Sequence, residues 1–164
     1  MPTSPAPIPT PADAPADPAR DQIQIAQVLY RLARAMDTRD WDLLATCFIP
    51  EAVGDFATGQ AVGLDSMLLD YKAFLPPLDT TQHLVTNIET AIDGDTAEAT
   101  AYFLAQHVRA DTEGGDQFLI GGRYDDRLTR TTEGWRITRR RVTGSWTQGN
   151  PKVVGTTLDR RENG

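Results

Sequence analysis

The stretch Ala35-Met-Asp-Thr-Arg-Asp-Trp-Asp42 ends one helical pattern and begins another. Before it, apolar side chains recur at the spacing of one helical face. They are Ile25, Val28, Leu29, Leu32 and Met36. Thr38 and Asp40 are residue types that begin a new helix, so the first helix is predicted to end near Asp37.

The position of Asp37 makes it a candidate proton acceptor. The helix macrodipole disfavours a negative charge at a helix C-terminus by about 0.3–1 kcal/mol. Partial burial would act in the same direction, and together the two effects are predicted to raise the pKa of Asp37 toward neutrality. The other interpretation is a solvated aspartate in a turn between helices.

Helical periodicity precedes strand periodicity along the chain. Three helices are predicted, over residues 21–36 (with Asp21 as the cap), 41–48 and 64–74, and a short strand at 52–57. Four longer strands follow, over 81–92, 97–110, 117–130 and 135–147, with the first hairpin turning at Asp93-Gly94-Asp95. This order predicts an α+β fold in which a curved antiparallel sheet wraps around the N-terminal helices as a cone with one open mouth.

The length of 164 residues suits one domain, predicted over residues 21–150. Residues 1–20 contain seven prolines and five alanines and are predicted to be a disordered tail. They have neither the cationic start nor the apolar stretch of a signal peptide. Residues 151–164 are predicted to be a flexible C-terminal tail.

Charge and cysteine content exclude several classes of partner. The net charge of −7 argues against binding to nucleic acid or to an anionic membrane surface. Apolar runs are too short to span a bilayer. The single cysteine, Cys47, cannot form an internal disulfide and is expected to fill the core. A cytoplasmic location is the expectation.

The predicted strand 97–110 places small side chains on one face. Residues of equal parity point the same way, which groups four alanines with Phe103 and with His107 at the end of the strand. The alanines are Ala97, Ala99, Ala101 and Ala105. This face either leaves space for a ligand, with Phe103 in its wall, or packs against a bulky helix. His107 favours the pocket.

The two histidines are the candidates for chemistry. With a turn at Asp93-Gly94, His83 and His107 lie almost opposite each other on one sheet face, about 4.5–5.5 Å apart at Cβ. Two imidazoles and the Asp37 carboxylate form a plausible acid–base group. A metal site that uses the same three residues, with or without Asp55, is the competing hypothesis. No close ligand spacing supports it, so neither a metal nor a cofactor is expected.

Short motifs over residues 22–147 resemble the SnoaL-like group of the nuclear-transport-factor-2 (NTF2) superfamily, whose cystatin-like fold is a sheet cone lined by helices. The motifs are Asp37-Thr-Arg-Asp-Trp-Asp42, Thr81-Gln-His83, His107, Gly122-Arg-Tyr-Asp125 and Gly134-Trp-Arg-Ile137.

Within this superfamily the chain is similar to the scytalone dehydratases and the hexachlorocyclohexane dehydrochlorinases. The resemblance implies catalytic roles for Asp37, His83 and His107, and a functional role for Arg140. Where the dehydratases use two tyrosines, this chain has Met36 and Phe56. Tyr30, on the first helix, is then a candidate source of a hydroxyl group.

The resulting hypothesis is a cofactor-independent lyase or isomerase that acts on a small, apolar, cyclic substrate. His83, made more basic by Asp37, would remove a proton, and His107 would orient the substrate or protonate the leaving oxygen. The residues expected to contact the substrate are Tyr30, Phe56, Phe103 and Arg140. A non-catalytic binding or assembly subunit, a polyketide cyclase and an epoxide hydrolase are the alternatives. Exposed strand faces and Trp146 predict a homo-oligomer, either a dimer or a trimer.

Overall fold

A computed structural model describes residues 17–157. The helices are α1 (Pro18–Thr38), α2 (Trp41–Ala45) and α3 (Leu64–Phe74). The strands are β1 (Phe48–Phe56), β2 (Gly59–Val62), β3 (Thr80–Asp93), β4 (Thr96–Val108), β5 (Gln117–Thr131) and β6 (Gly134–Gly149), and a 3-10 helix covers Pro151–Thr157. Within this part of the chain no helix has both the length and the apolar character that a bilayer span requires.

The six strands form one open, curved sheet in the order β2-β1-β6-β5-β4-β3. This sheet, with the three helices, confirms the predicted α+β fold. The predicted meander is confirmed for β3 to β6. The curvature of the sheet brings β6 back beside β1, and these two strands run parallel. Neither this parallel pair nor the short strand β2 was predicted from the sequence.

Two irregularities let the long strands bend. The pairing of β5 with β6 shifts between Gly121 and Gly122, and glycine inside a strand is typical of a bulge or a sharp bend. The pairing of β3 with β4 shifts between Thr86 and Glu89, where Asn87 has a φ of 51°. This second bulge reverses which residues of β3 point inward, and it carries no glycine or proline signal in the sequence.

The narrow end of the cone is filled by apolar side chains. The predicted face of α1 is buried, and Ala97, Ala99 and Ala101 belong to the same buried cluster as Leu29 and Leu32. For these three alanines the packing alternative is therefore correct. At these three positions β4 faces a filled core rather than an open pocket.

Several predicted boundaries differ from the structure. Helix α1 begins at Pro18, and its cap is Asp17, whose carboxylate accepts hydrogen bonds from the backbone of Ala19 and Arg20. Helix α2 ends at Ala45 rather than at residue 48. Val153 and Val154, assigned to the C-terminal tail, are buried in the 3-10 helix. The remaining tail predictions, for residues 1–16 and 158–164, lie outside the described residues.

Asp21 was predicted as the helix cap but has a different role. Its carboxylate is buried and accepts two hydrogen bonds of 2.8 Å from Arg130 and one of 3.1 Å from the Trp135 indole. The Arg130 guanidinium also lies over the Trp135 ring. These contacts fasten the first turn of α1 to strands β5 and β6.

Candidate active site

The Asp37 carboxylate binds the His83 ring directly. Asp37 Oδ1 lies 2.6 Å from His83 Nδ1 and also accepts the Thr81 hydroxyl at 3.0 Å. Asp37 Oδ2 accepts the backbone N–H of His83 at 2.9 Å. Because a carboxylate only accepts hydrogen bonds, the proton of a neutral His83 ring is on Nδ1 and its Nε2 is free to act as a base. The His83 side chain is only 6% exposed.

Two further residues of the Asp37–Asp42 motif, Arg39 and Asp40, fix the backbone that follows Asp37. The Arg39 guanidinium donates to the backbone carbonyls of Leu75 and Leu78, which ties the end of α1 to the segment that leads into β3. The Asp40 carboxylate caps α2 by accepting the backbone N–H of Leu43 at 2.9 Å. Asp37 is thus fixed against the start of the strand that carries His83.

The pKa of Asp37 moves opposite to the prediction. Burial raises it, but the hydrogen bonds from the His83 ring, the His83 backbone and the Thr81 hydroxyl outweigh burial and hold the pKa below its ordinary value. The prediction took account of the macrodipole and of burial but not of these donors. Asp37 is therefore ionised at neutral pH and serves as the acceptor that orients His83.

His107 lies diagonally from His83 rather than opposite it. His107 pairs with Thr81, and His83 pairs with Ala105, so the two histidines share a face but are two residues out of register. Their ring centroids are 6.0 Å apart, and the Phe74 ring packs edge-on against His107 at 5.5 Å. The prediction of a shared face is correct, and the two rings are diagonal neighbours rather than the nearly opposed pair that was predicted.

The structure assigns His107 a neutral ring. Its Nδ1–H donates to the Phe118 carbonyl at 3.2 Å, which leaves Nε2 as an acceptor. Burial, together with the neighbouring His83, lowers the pKa of His107 to about 4. At neutral pH the Nε2 atom of this ring can accept a hydrogen bond from a substrate hydroxyl, but it carries no proton that it could donate as an acid.

A neutral, buried His107 predicts a dependence of stability on pH. The pKa of His107 is about 4 in the folded protein, whereas its ordinary value of 6.5 applies in the unfolded chain. Between these two values the unfolded chain binds more protons than the folded protein does. The contribution of His107 to the unfolding free energy therefore falls by up to about 1.4 kcal/mol per pH unit as the pH drops from 6.5 to 4. Chemical denaturation of the wild type and of His107→Asn at pH 7 and pH 5 measures this contribution. The Asn amide retains a donor near Phe118 but cannot titrate. Equal losses of stability in both proteins would contradict the assignment.

Arg140 is buried rather than free to meet a ligand charge. Its guanidinium makes two hydrogen bonds, of 2.8 and 2.7 Å, to the carboxylate of Asp126. Both side chains are buried, and the guanidinium lies 4.1 Å from the centre of the Tyr124 ring. The Phe103 ring stacks on Tyr124 at 4.4 Å. The resemblance implied a functional role for Arg140, and its side chain does point inward, but its charge is already matched by Asp126.

A family model described as the SnoaL-like domain matches residues 17–141. The chain belongs to the SnoaL-like family. A protein from Mycobacterium tuberculosis is 33% identical to this SnoaL-like chain over 128 residues, covering 73% of the chain and 82% of the relative. The terrestric acid biosynthesis cluster protein E of Penicillium crustosum is 29% identical over 141 residues, covering 82% and 90%.

Three solved structures share the fold of this SnoaL-like chain. A protein from Kribbella flavida superposes with a TM-score of 0.76 at 26% identity, covering 80% of this chain and 95% of its own. A candidate scytalone dehydratase from Novosphingobium aromaticivorans has a TM-score of 0.70 at 20% identity, with 80% and 89% covered. A hexachlorocyclohexane dehydrochlorinase has a TM-score of 0.73 at 18% identity, with 80% and 90% covered. The likeness to the candidate scytalone dehydratase and to the dehydrochlorinase confirms the predicted resemblance for the fold.

Two predicted contact residues of the SnoaL-like chain lie in different environments. Tyr30 is 47% exposed on the outside of α1, so its predicted place in the pocket is wrong. Phe56 packs edge-on against Tyr71 of α3, with ring centroids 5.5 Å apart. Burial raises the pKa of Tyr71 to about 12, so its hydroxyl stays protonated and can donate. Tyr71 supplies an interior phenol that Tyr30 does not.

Sequence reasoning also missed Thr81, Tyr124 and Asp126. Thr81 precedes His83 by two residues and therefore shares its face, which was a usable signal. Asp126 pairs with Arg140 across β5 and β6, but this register depends on the bulges and could not be deduced from the sequence.

The remaining candidates for chemistry in the SnoaL-like chain have structural partners. Asp55 binds Arg139 at 2.7 Å and Gln60 at 2.8 Å. Burial raises the pKa of the Cys47 thiol, which suits a core side chain. Across residues 17–157, no three His, Cys, Asp or Glu side chains are grouped as a metal site. Two concave regions, of about 590 and 460 Å³, lie at the loop near Asn150 and beside Trp146, away from Asp37.

Proposed function

We propose that this SnoaL-like protein is a cofactor-independent lyase or isomerase for a small, mainly apolar, cyclic molecule. The observation that carries the proposal is the 2.6 Å contact between Asp37 and His83 at a nearly buried imidazole. A fixed, carboxylate-backed histidine is a general base of useful strength near neutral pH. The similarity to a protein of a terrestric acid biosynthesis cluster supports a small organic substrate.

The proposed step begins at His83 Nε2, which removes a proton from a carbon beside a carbonyl group. The electron pair of the broken C–H bond moves onto the carbonyl oxygen as an enolate. The Asp37 carboxylate stabilises the imidazolium that forms. When the enolate collapses, the bond from the β-carbon to its hydroxyl breaks, and the imidazolium returns its proton to the leaving oxygen. The products are water, a conjugated ketone and neutral His83.

Of the two roles predicted for His107, orienting the substrate and protonating the leaving oxygen, we propose the first. A neutral ring whose Nδ1–H is committed to Phe118 presents only an acceptor, which suits a substrate hydroxyl. Elimination of water is the first choice among the reactions that a single base can carry out. Isomerisation is the next choice, with the proton returned to a different carbon, followed by cyclisation.

A non-catalytic ligand-binding or assembly subunit is the second candidate. The observation that favours it is the filling of the interior by the stacked Phe103 and Tyr124 rings and by the Arg140–Asp126 pair. Hydration of an epoxide has less support, because the Asp37 oxygens already accept three hydrogen bonds.

The test is proton exchange and elimination on a panel of cyclic β-hydroxyketones in D₂O, followed by NMR and by the ultraviolet absorbance of the conjugated product. We expect the wild type to catalyse exchange at the α-carbon. His83→Asn retains a donor toward Asp37 but lacks Nε2, so it should lower the rate by at least about 10²-fold. Tyr30→Phe, on the exposed side of α1, is the matched control and should keep the wild-type rate. Tight binding of a panel member with no exchange by the wild type would instead establish the non-catalytic function.

A further inference from the structure

The close packing of α3 on β1 places Tyr71 beside the buried Arg140. Gly54 of β1 pairs with Arg140 of β6. A Cβ atom at Gly54 would clash with the Phe56 ring and lie 3.2 Å from the Met67 side chain of α3, so the bare backbone lets both groups pack directly on the sheet. The Tyr71 ring follows Met67 by about one helical turn and packs edge-on against Phe56. The phenol therefore lies on the inner side of α3, at the β1–β6 pair that carries Arg140.

The Arg140 guanidinium polarises the Tyr71 hydroxyl. Two N–H groups of Arg140 bind the Asp126 carboxylate. The guanidinium also acts on the Tyr71 phenol, both as a positive charge and through a side-chain hydrogen bond. Since arginine only donates, the phenol oxygen is the acceptor in this bond, and its own O–H is left to donate to another group. Hydrogen bonds in such a chain strengthen one another in a buried site, so this O–H is a stronger donor than that of an isolated tyrosine.

The inner side of α3 leads from Tyr71 to the two histidines. Phe74 lies three residues after Tyr71, so the two rings share a helix face and are about 4.5 Å apart along the axis. The Phe74 ring packs against His107, whose ring centroid lies 6.0 Å from that of His83. Tyr71 is thus one helical turn away from the group that contacts the histidine pair.

Tyr124 is a second interior phenol, but Arg140 contacts it differently. Asp37 and Tyr71 both act electrostatically on the Tyr124 hydroxyl, so the three groups share one interior region. The Phe103 ring stacks on the Tyr124 ring at 4.4 Å, and the Arg140 guanidinium lies 4.1 Å from the centre of the same ring. The guanidinium therefore covers the ring of Tyr124, whereas it binds the hydroxyl of Tyr71. The phenol whose donor strength Arg140 increases is Tyr71.

The reaction proposed above places a negative charge on a substrate oxygen. Asp37 and His107 present acceptors and His83 acts as the base, so a donor for this oxygen has to come from another residue. Donors aimed at developing charge in a buried site are a major source of catalysis. Resting on that proposed function, we propose that the Tyr71 hydroxyl donates a hydrogen bond to the ligand oxygen that carries the negative charge, which is the enolate oxygen in the reaction. The proton stays on Tyr71 throughout.

Proton exchange on the panel of cyclic β-hydroxyketones tests the role of Tyr71 in the reaction. Tyr71→Phe keeps the ring that packs on Phe56 but removes the donor, and should lower the exchange rate by about 10²–10³-fold. Tyr102→Phe is the matched control, because it removes the same hydroxyl from a residue of β4 that is 59% exposed. It should keep the wild-type rate. An unchanged rate in Tyr71→Phe, or a loss confined to Tyr124→Phe, would overturn the assignment.

Binding of para-nitrophenolate measures the donor without any reaction. This probe carries its charge on an oxygen of a planar ring, and para-nitroanisole is the neutral match of similar shape. In mildly alkaline buffer the probe is ionised but Tyr71 is not, since burial raises the pKa of Tyr71 to about 12. We expect the wild type to bind the anion more tightly than the anisole. Tyr71→Phe should raise the Kd of the anion at least about 10-fold and leave the Kd of the anisole unchanged.

The two measurements separate this inference from the proposed function. A wild type that exchanges no panel member, but whose anion binding is lost in Tyr71→Phe, would refute the reaction and retain the donor. An active wild type whose rate and anion affinity are both unchanged in Tyr71→Phe would retain the reaction and refute the donor. If circular dichroism shows that Tyr71→Phe does not fold, the wild type alone decides. Equal affinity of the wild type for the anion and the anisole would then overturn the inference.

Discussion

Replacing Asp126 with alanine should lower the free energy of unfolding by about 3–5 kcal/mol. Asp126 is the carboxylate that pairs with Arg140 in the interior, and the Arg140 side chain is only 1% exposed. Removing the carboxylate leaves a guanidinium that cannot reach water. The loss corresponds to a drop in Tm of roughly 6–20 °C for a chain of this size. Urea denaturation followed by circular dichroism measures it.

Two variants isolate the cause of that loss. Asp125→Ala is the matched control, because Asp125 is the next residue on β5 but points outward to Arg123, whose side chain is 52% exposed. It should cost no more than about 1 kcal/mol. The double variant Asp126→Leu with Arg140→Met removes both charges and should recover most of the stability. If Asp126→Ala is as mild as Asp125→Ala, the interior pair is not the stabilising element described above.

Replacing Asp37 with asparagine should lower kcat for the proposed reaction by about 10²–10⁴-fold. The variant keeps the size of the side chain but removes the charge that stabilises the imidazolium. An asparagine amide can also turn its NH₂ toward His83, which would favour the tautomer with the proton on Nε2 and remove the base. Substrate binding should change much less than kcat, since Asp37 acts through His83.

Nitrogen-15 NMR of the two imidazole rings provides a readout that needs no substrate. In the wild type both neutral rings should carry their proton on Nδ1, given their partners Asp37 and Phe118. Asp37→Asn should shift His83 toward the Nε2–H tautomer and leave His107 unchanged. Asp42→Asn, an exposed residue of the same motif, is the control. An unchanged His83 tautomer in Asp37→Asn would refute the orienting role of Asp37.

Periodic patterns predicted the parts of this molecule that depend on local geometry. The apolar spacing of Ile25 to Met36 identified the buried face of α1, and alternation along β4 placed Phe103 and His107 on the inner face. The motif around Asp37 identified a carboxylate at a helix end. These patterns predicted an acid–base group of Asp37 with the two histidines, and the family resemblance implied catalytic roles for the same residues.

The errors arose where the answer depends on contacts between distant segments. The direction of the Asp37 pKa is set by donors on β3, 44 and 46 residues away in the chain. The charge of Arg140 is matched by Asp126 through a strand register that bulges decide. Tyr30 follows the buried Leu29 by one residue, and this single step along the helix is enough to place it in solvent.

The bulge at Asn87 makes the length of β3 as important as its composition. His83 and Val85, before the bulge, and Ile88 and Ile92, after it, occupy the partly buried side of the strand, although their parity differs. Deleting one residue there would turn one half of the strand over, and the His83 imidazole would move to the outer surface without any change of side chain. Relatives that keep this chemistry should therefore accept substitutions at position 87 far more readily than insertions or deletions.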